Sequence, residues 1–192
     1  MTEIGLRERS KARRRAAIVR AAYELFAERG YDATTVADIA AAAEVAPRTV
    51  AMYFPAKQDI ALSRFTDGVA SLSTALRDRQ PGETLHEVFG RWLLISQTEA
   101  EDREMYQLAR RMFAANPDLG ALRTARMAAA IREGANMIAE ETGTPPAAFG
   151  PRMAAAAAAA IAMEVIDTEP GAEREEAVAA AMRFLDGGTA AL

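Results

Sequence analysis

Apolar positions recur at intervals of three and four along almost the whole chain, and no stretch alternates with the period of two that a half-buried strand requires. The pattern predicts an all-α fold of about nine helices. Ile18, Ala21, Ala22 and Leu25 form the apolar stripe of a first helix. Gly30 is expected to end it, because glycine adopts the left-handed backbone of a helix terminus without steric cost. Thr35-Val36-Ala37-Asp38 is a capping box, so a short second helix is expected from Val36 to Ala43. A turn at Glu44-Val45 leads to a third helix, with Pro47 at its first position and Tyr53-Phe54-Pro55 at its end. From Lys57 onward, the stripe Leu62, Phe65, Val69, Leu72 and Leu76 predicts one long connecting helix.

Gln80-Pro81-Gly82 breaks the pattern, and a second capping box, Thr84-Leu85-His86-Glu87, opens a fifth helix that should run to about Thr98. A sixth helix turns Met105, Leu108, Met112 and Phe113 inward, and Asn116-Pro117 opens a seventh. Breaks at Thr142 to Pro146 and at Glu169-Pro170-Gly171 set off an eighth helix, which holds the alanine run 154–160, and a ninth from Ala172 to about Leu185. Gly187-Gly188 is expected to end the ordered chain. The division expected is residues 1–56 as a small three-helix bundle and residues 57–192 as a larger helical bundle.

Composition removes many chemistries. Half of the 192 residues are hydrophobic, enough for a real core. With no Cys and a single His, His86, the chain has no inventory for disulfides, zinc fingers, thiol catalysis or multi-histidine metal sites, and no cofactor is expected. No uninterrupted apolar run reaches membrane-spanning length, so a cytoplasmic protein without a membrane partner is expected. The best enzymatic reading pairs His86 with Glu83 or Glu87, but these residues open a helix, and no nucleophile or phosphate loop accompanies them. The expectation is a protein that is not an enzyme.

The net charge of −4 conceals an asymmetry. Residues 1–20 carry seven bases against two acids, while residues 61–192 carry thirteen bases against nineteen acids. A basic entry followed by an acidic remainder suits a protein that touches phosphate at one end. An alternative is a basic helix lying on an anionic lipid surface. That reading leaves the capped second helix and the Pro47-Arg48-Thr49 turn without a purpose.

Two short helices joined by a tight turn, behind a basic first helix, form the helix-turn-helix pattern, whose later helix enters the major groove. The residues make the match specific. Gly30-Tyr31-Asp32-Ala33-Thr34-Thr35-Val36-Ala37-Asp38-Ile39-Ala40, Val45-Ala46-Pro47-Arg48-Thr49 and Met52-Tyr53-Phe54-Pro55-Ala56-Lys57 resemble the tetracycline-repressor (TetR) family over roughly residues 10–62. The remainder resembles that family only in helix number and length. The resemblance implies a sequence-specific regulator of transcription, a repressor that leaves double-stranded operator DNA when a small, mostly apolar effector binds, and a homodimer paired through the last two helices.

It also implies roles for named residues. Thr35 starts the second helix, where free amides and the positive dipole end favour a DNA phosphate. Tyr53 and an outward-directed Lys57 are implied phosphate contacts, which position without reading sequence. Pro47, Arg48 and Thr49 form the turn that reaches base edges, and Arg48 is the candidate for bidentate readout of guanine. Val50 and Phe54, on the opposite face, should be core. The chain departs from the family pattern at Glu44, where glycine is common, at Ala46 and Ala56, which replace capping side chains, and at Ala51, which replaces an aromatic.

In the larger bundle, Leu85, Val88, Phe89, Trp92 and Ser96 fall on one helical face, and Met127, Ile131 and Ile138 share another with Gly134. A ligand pocket lined by Trp92, Ser96, Tyr106, Met127 and Gly134 is therefore expected, suited by its Met-rich and aromatic walls to an apolar organic molecule. The small residues from Ala154 to Ile161 offer a surface that a partner's helix can approach closely.

Overall fold

The computed structural model describes residues 3–95, 100–169 and 171–189, and all regular structure among them is helical. The helices are α1 Glu3–Arg29, α2 Val36–Ala42, α3 Pro47–Tyr53, α4 Lys57–Ala61, α5 Ser63–Arg77, α6 Leu85–Ile95, α7 Ala100–Ala115, α8 Pro117–Thr142, α9 Phe149–Asp167 and α10 Ala172–Thr189. The all-α architecture is the one the periodicity predicts.

Two sequence expectations need correction. The single connecting helix from Lys57 is interrupted at Leu62, whose φ of −100° and ψ of 11° separate α4 from α5 and raise the nine expected helices to ten among the described residues. The cause is local. The Tyr23 hydroxyl donates to the Ala61 carbonyl oxygen at 3.1 Å, the oxygen that a continuous helix would offer to the Phe65 amide. At the other end, Gly187-Gly188 does not stop α10, which continues to Thr189. Glycine weakens a helix by about 1 kcal/mol relative to alanine without barring helical dihedrals. The expected end of the fifth helix, at Thr98, lies outside the described residues.

The chain forms two compact units, Met1–Thr66 with Glu104–Arg123, and Asp67–Arg103 with Thr124–Leu192. In the first, Ile18, Ala22 and Phe26 of α1 pack with Ile39 of α2, Val50 of α3 and Ile60 of α4. Leu108, Met112 and Leu119 complete that core, so a corner made by α7 and the start of α8 is part of the N-terminal bundle. The bidentate pairing of Arg20 with Glu104, at 2.6 and 3.0 Å, lies along the same junction.

The second unit is built on Phe89, Trp92 and Leu93 of α6, Ala162 and Val165 of α9 and Val178 of α10. Gly90 leaves no room for a Cβ beside the Met182 sulfur, which lets α6 and α10 approach closely. Arg174 is buried and closes the end of α9, its guanidinium donating to the carbonyl oxygens of Thr168 at 2.6 Å and Ile166 at 3.2 Å. A cation at a helix C-terminus meets both the unpaired carbonyls and the negative dipole end.

Candidate nucleic-acid interface

The helix-turn-helix is organised from α1 outward. Gly30 takes φ +88° and ends α1, as its sequence position suggests. Thr34 follows buried, its hydroxyl donating to the Gly30 carbonyl oxygen at 2.8 Å. Thr35 then caps α2 reciprocally: its Oγ1 accepts from the Asp38 amide at 3.1 Å, and its own amide donates to the Asp38 carboxylate at 2.8 Å. The Thr35 hydroxyl, followed by the Thr35 amide, holds the Asp38 carboxyl below the usual carboxylate range. A negative side chain is thus fixed beside the first turn of α2, where the helix dipole favours it.

The turn between α2 and α3 is strained in one place. Glu44 has φ 55°, the only positive φ among the described non-glycine residues, and its amide donates to the Ala41 carbonyl oxygen at 3.2 Å. Left-handed backbone costs a residue with a Cβ about 1 kcal/mol. Ala46 precedes α3 with no side-chain cap, and Pro47 occupies the start of the helix, where a missing N–H is tolerated. Ala56 likewise supplies no capping side chain, but its amide donates to Asp59 Oδ2 at 3.0 Å, so half of a capping box survives.

α3 divides cleanly between core and surface. Val50 and Phe54 are buried, 1% and 5% exposed, as expected for the inward face. Pro47, Arg48 and Ala51 are exposed, and Thr49 and Tyr53 are half-buried. Met52 is 69% exposed and lies one helical turn beyond Arg48 on the same face. A methionine at helical spacing usually reads as core, and Met52 is not among the residues expected at the interface. The signal available was its offset of two from Val50 and Phe54, which places it off their face.

Lys57 does not project outward as expected. Its ammonium donates to the carbonyl oxygens of Tyr31 at 2.6 Å and Thr34 at 2.9 Å and sits 4.2 Å from the centroid of the Tyr31 ring. The side chain braces the turn between α1 and α2. Burial, then the nearby charges of Asp32 and Asp59, push the Tyr31 hydroxyl above its ordinary range, so it stays protonated beside that cation. Nearer the N-terminus, Arg7, Arg9, Lys11, Arg13 and Arg14 stand exposed along α1, and the Arg15 guanidinium lies 5.0 Å from the Phe54 ring centroid. The basic run therefore ends in packing against the foot of α3.

The residues expected to line a ligand pocket are placed as follows. Tyr106 belongs to the first unit, where the Arg110 guanidinium lies 5.9 Å from its ring centroid. Trp92, Met127 and Gly134 belong to the second unit, and Ser96 lies outside the described residues. Trp92 is largely buried, stacks on Phe89 with ring centroids 6.2 Å apart, and donates its indole N–H to Ser71 Oγ at 3.3 Å. A Cβ at Gly134 would meet the Ala155 Cβ at 3.5 Å, so this glycine marks close helix approach rather than open space. An open cleft of about 600 Å³ occurs elsewhere in the second unit, between Leu76, Arg79, Gln80, Pro81, Met137 and Glu140.

The carboxylates of the enzymatic alternative are committed. Glu83 pairs with Arg91 and accepts from the Gln80 amide at 2.8 Å, and both hold its carboxyl below the usual range. Glu87 accepts from the Thr84 amide at 2.9 Å and the Thr84 hydroxyl at 2.7 Å, with the same effect. Neither has the raised affinity for protons that a general base near neutrality needs.

Comparison with known proteins agrees with this geometry. A family model described as bacterial regulatory proteins, tetR family, matches residues 18–63, and one described as the MftR C-terminal domain matches residues 85–190. The HTH-type transcriptional regulator TcmR of Streptomyces glaucescens is 42% identical over 79 residues, which are 41% of this chain and 35% of that protein's length. Among solved structures, Salmonella enterica GusR aligns with a TM-score of 0.59 at 22% identity, over 91% of this chain and 94% of its own. NalD of Pseudomonas aeruginosa, described as the secondary repressor of the MexAB-OprM multidrug efflux pump, aligns with a TM-score of 0.55 at 20% identity, over 90% of this chain and 96% of its own.

Proposed function

We propose that this chain, which belongs to the TetR family of bacterial regulatory proteins, is a cytoplasmic repressor that binds operator DNA as a homodimer and leaves it when a small organic effector binds. The observation that carries the proposal is the division of α3, with Val50 and Phe54 anchored in the core while Arg48 and Met52 stand exposed together. Such a face presents a guanidinium for guanine O6 and N7 and a thioether for thymine methyl groups. Thr35, Pro47, Thr49, Tyr53 and Lys57 surround it as positioning residues, and the exposed bases of α1 add phosphate attraction.

Pairing is supported by α9. It is the described helix long and apolar enough to cross a membrane, with a mean hydropathy of 1.3, yet only 22% of that stretch is buried. Phe149 and Met153 on α9 and Phe184 on α10 are 75%, 45% and 65% exposed. A second copy covers these side chains, and the alanine run 154–160 that follows Met153 lets its backbone come close.

For effector sensing, the second unit supplies an apolar cluster around Trp92 with one polar handle, the indole N–H held by Ser71. Met127 is the further residue of the second unit that we assign to that site. Quenching of Trp92 by compounds that release DNA supports this site, and release without quenching assigns the effector elsewhere. The regulatory reading is tested by exposing the wild-type protein to a random duplex library and, separately, to anionic vesicles. Enrichment of one sequence supports the proposal, whereas vesicle binding without enrichment points to the membrane-surface alternative.

A further inference from the structure

Asn116 stands immediately before α8, a position where asparagine ordinarily caps the helix it precedes. Its side chain is turned instead toward α1. Nδ2 donates to the carbonyl oxygens of Phe26 at 2.8 Å and Met112 at 2.7 Å, and Oδ1 accepts from the Tyr31 amide at 2.6 Å. The two bonds to Phe26 and Tyr31 straddle Gly30, whose amide also donates to the Phe26 oxygen at 3.2 Å. One half-buried amide group thus ties the last turn of α1, at Phe26, to the peptide that follows its left-handed Gly30.

That turn carries the rest of the head. The Tyr31 carbonyl oxygen accepts from Lys57, the Thr34 oxygen accepts from the same ammonium, and Thr35 next along the chain caps α2. The Tyr31 amide that Asn116 holds and the Tyr31 oxygen that Lys57 holds lie on either side of one Cα, so a turn about Tyr31 that frees the first would carry the second away from Lys57 and shift the start of α2. The corner that holds Asn116 is separated by some 85 residues in sequence from Tyr31 and falls within the stretch matched by the C-terminal family model.

We infer that Asn116 is a positioning residue for DNA binding, acting through the backbone of Tyr31 on Lys57 and on the capped start of α2. The inference rests on the DNA-binding reading above. Losing the pair of bonds to Phe26 and Tyr31 should disorder the turn even where the core survives. Asn116→Ala is then expected to lower affinity about tenfold while the protein stays folded.

The test measures anisotropy of a labelled duplex selected by the wild-type protein, at a temperature where circular dichroism shows every variant fully helical. Variants are Asn116→Ala, Asn116→Asp, Lys57→Met and the double Asn116→Ala/Lys57→Met. Asp keeps an acceptor for Tyr31 but loses both donations, so it too should weaken binding and serves if the alanine variant does not fold. The double variant should bind little worse than the weaker single variant, because both changes act on one turn. Wild-type affinity in folded Asn116→Ala and Asn116→Asp, with only a lowered unfolding temperature, overturns the inference, as does strict additivity with Lys57→Met. Failure of the wild type to select any duplex instead overturns the DNA-binding reading itself.

Discussion

The Lys57 ammonium lies 4.2 Å from the Tyr31 ring centroid and at the same time donates to the Tyr31 carbonyl oxygen at 2.6 Å. A half-buried cation thereby satisfies two backbone oxygens and an aromatic face in the turn that joins α1 to α2. Lys57→Ala should therefore destabilise the fold by about 1–2 kcal/mol, as well as weaken DNA binding. Urea unfolding checks this. A phosphate contact with no internal role would leave the unfolding midpoint at the wild-type value.

Glu44 is held at φ 55°. Glycine adopts that conformation without the steric cost, and the gain is reduced by its greater freedom in the unfolded chain. Glu44→Gly should stabilise the protein by roughly 0.5–1 kcal/mol, read as a higher unfolding midpoint. An unchanged or lowered midpoint would mean that the Glu44 side chain contributes more than its backbone strain costs.

Two capping carboxylates and one paired with an arginine are expected to contribute to acid sensitivity. Asp38, Glu87 and Glu104 are held below their usual ranges by Thr35, Thr84 and Arg20 respectively. A folded value below the unfolded one gives stability that is present above the unfolded pKa and lost as pH falls through the folded value. Unfolding temperature should be flat near neutrality and fall through the acid range. Asp38→Asn combined with Glu87→Gln should lower the neutral value and shallow the acid slope, and an unaltered slope would exclude these caps as its source.

Much of the head was legible in the sequence because its signals are local. The Thr35 and Asp38 box, Pro47 at a helix start and Gly30 at a helix end each follow from the chemistry of one residue and its neighbours. What escaped is long-range. The break at Leu62 depends on Tyr23 taking the Ala61 oxygen, a partner 38 residues away. The inward turn of Lys57 depends on where the Tyr31 and Thr34 carbonyls point, and spacing carries no information on that. Likewise Asn116-Pro117 is a good helix start, but nothing near it in sequence indicates that its amide grips α1. Nor does helical spacing indicate that Tyr106 joins the first unit and Trp92 the second.

The exposed aromatics of the last two helices should matter for pairing and for little else. Phe149→Asp with Phe184→Asp is expected to give a helical monomer at micromolar concentration by light scattering, against a wild-type dimer. A variant that stays dimeric would place the interface away from these side chains.

The central claim is that α3 reads base edges through Arg48 and Met52. Selection from a random duplex library by the wild type, Arg48→Ala and Met52→Ala tests it most directly. The wild type should enrich a two-fold symmetric site whose half-sites lie about one or more helical turns apart. Arg48→Ala should relax preference at a single G·C pair in each half-site by about 1–3 kcal/mol, and Met52→Ala should relax it at a thymine, with the rest of the site retained. Enrichment of the same site with the same preferences by all three proteins would contradict the account.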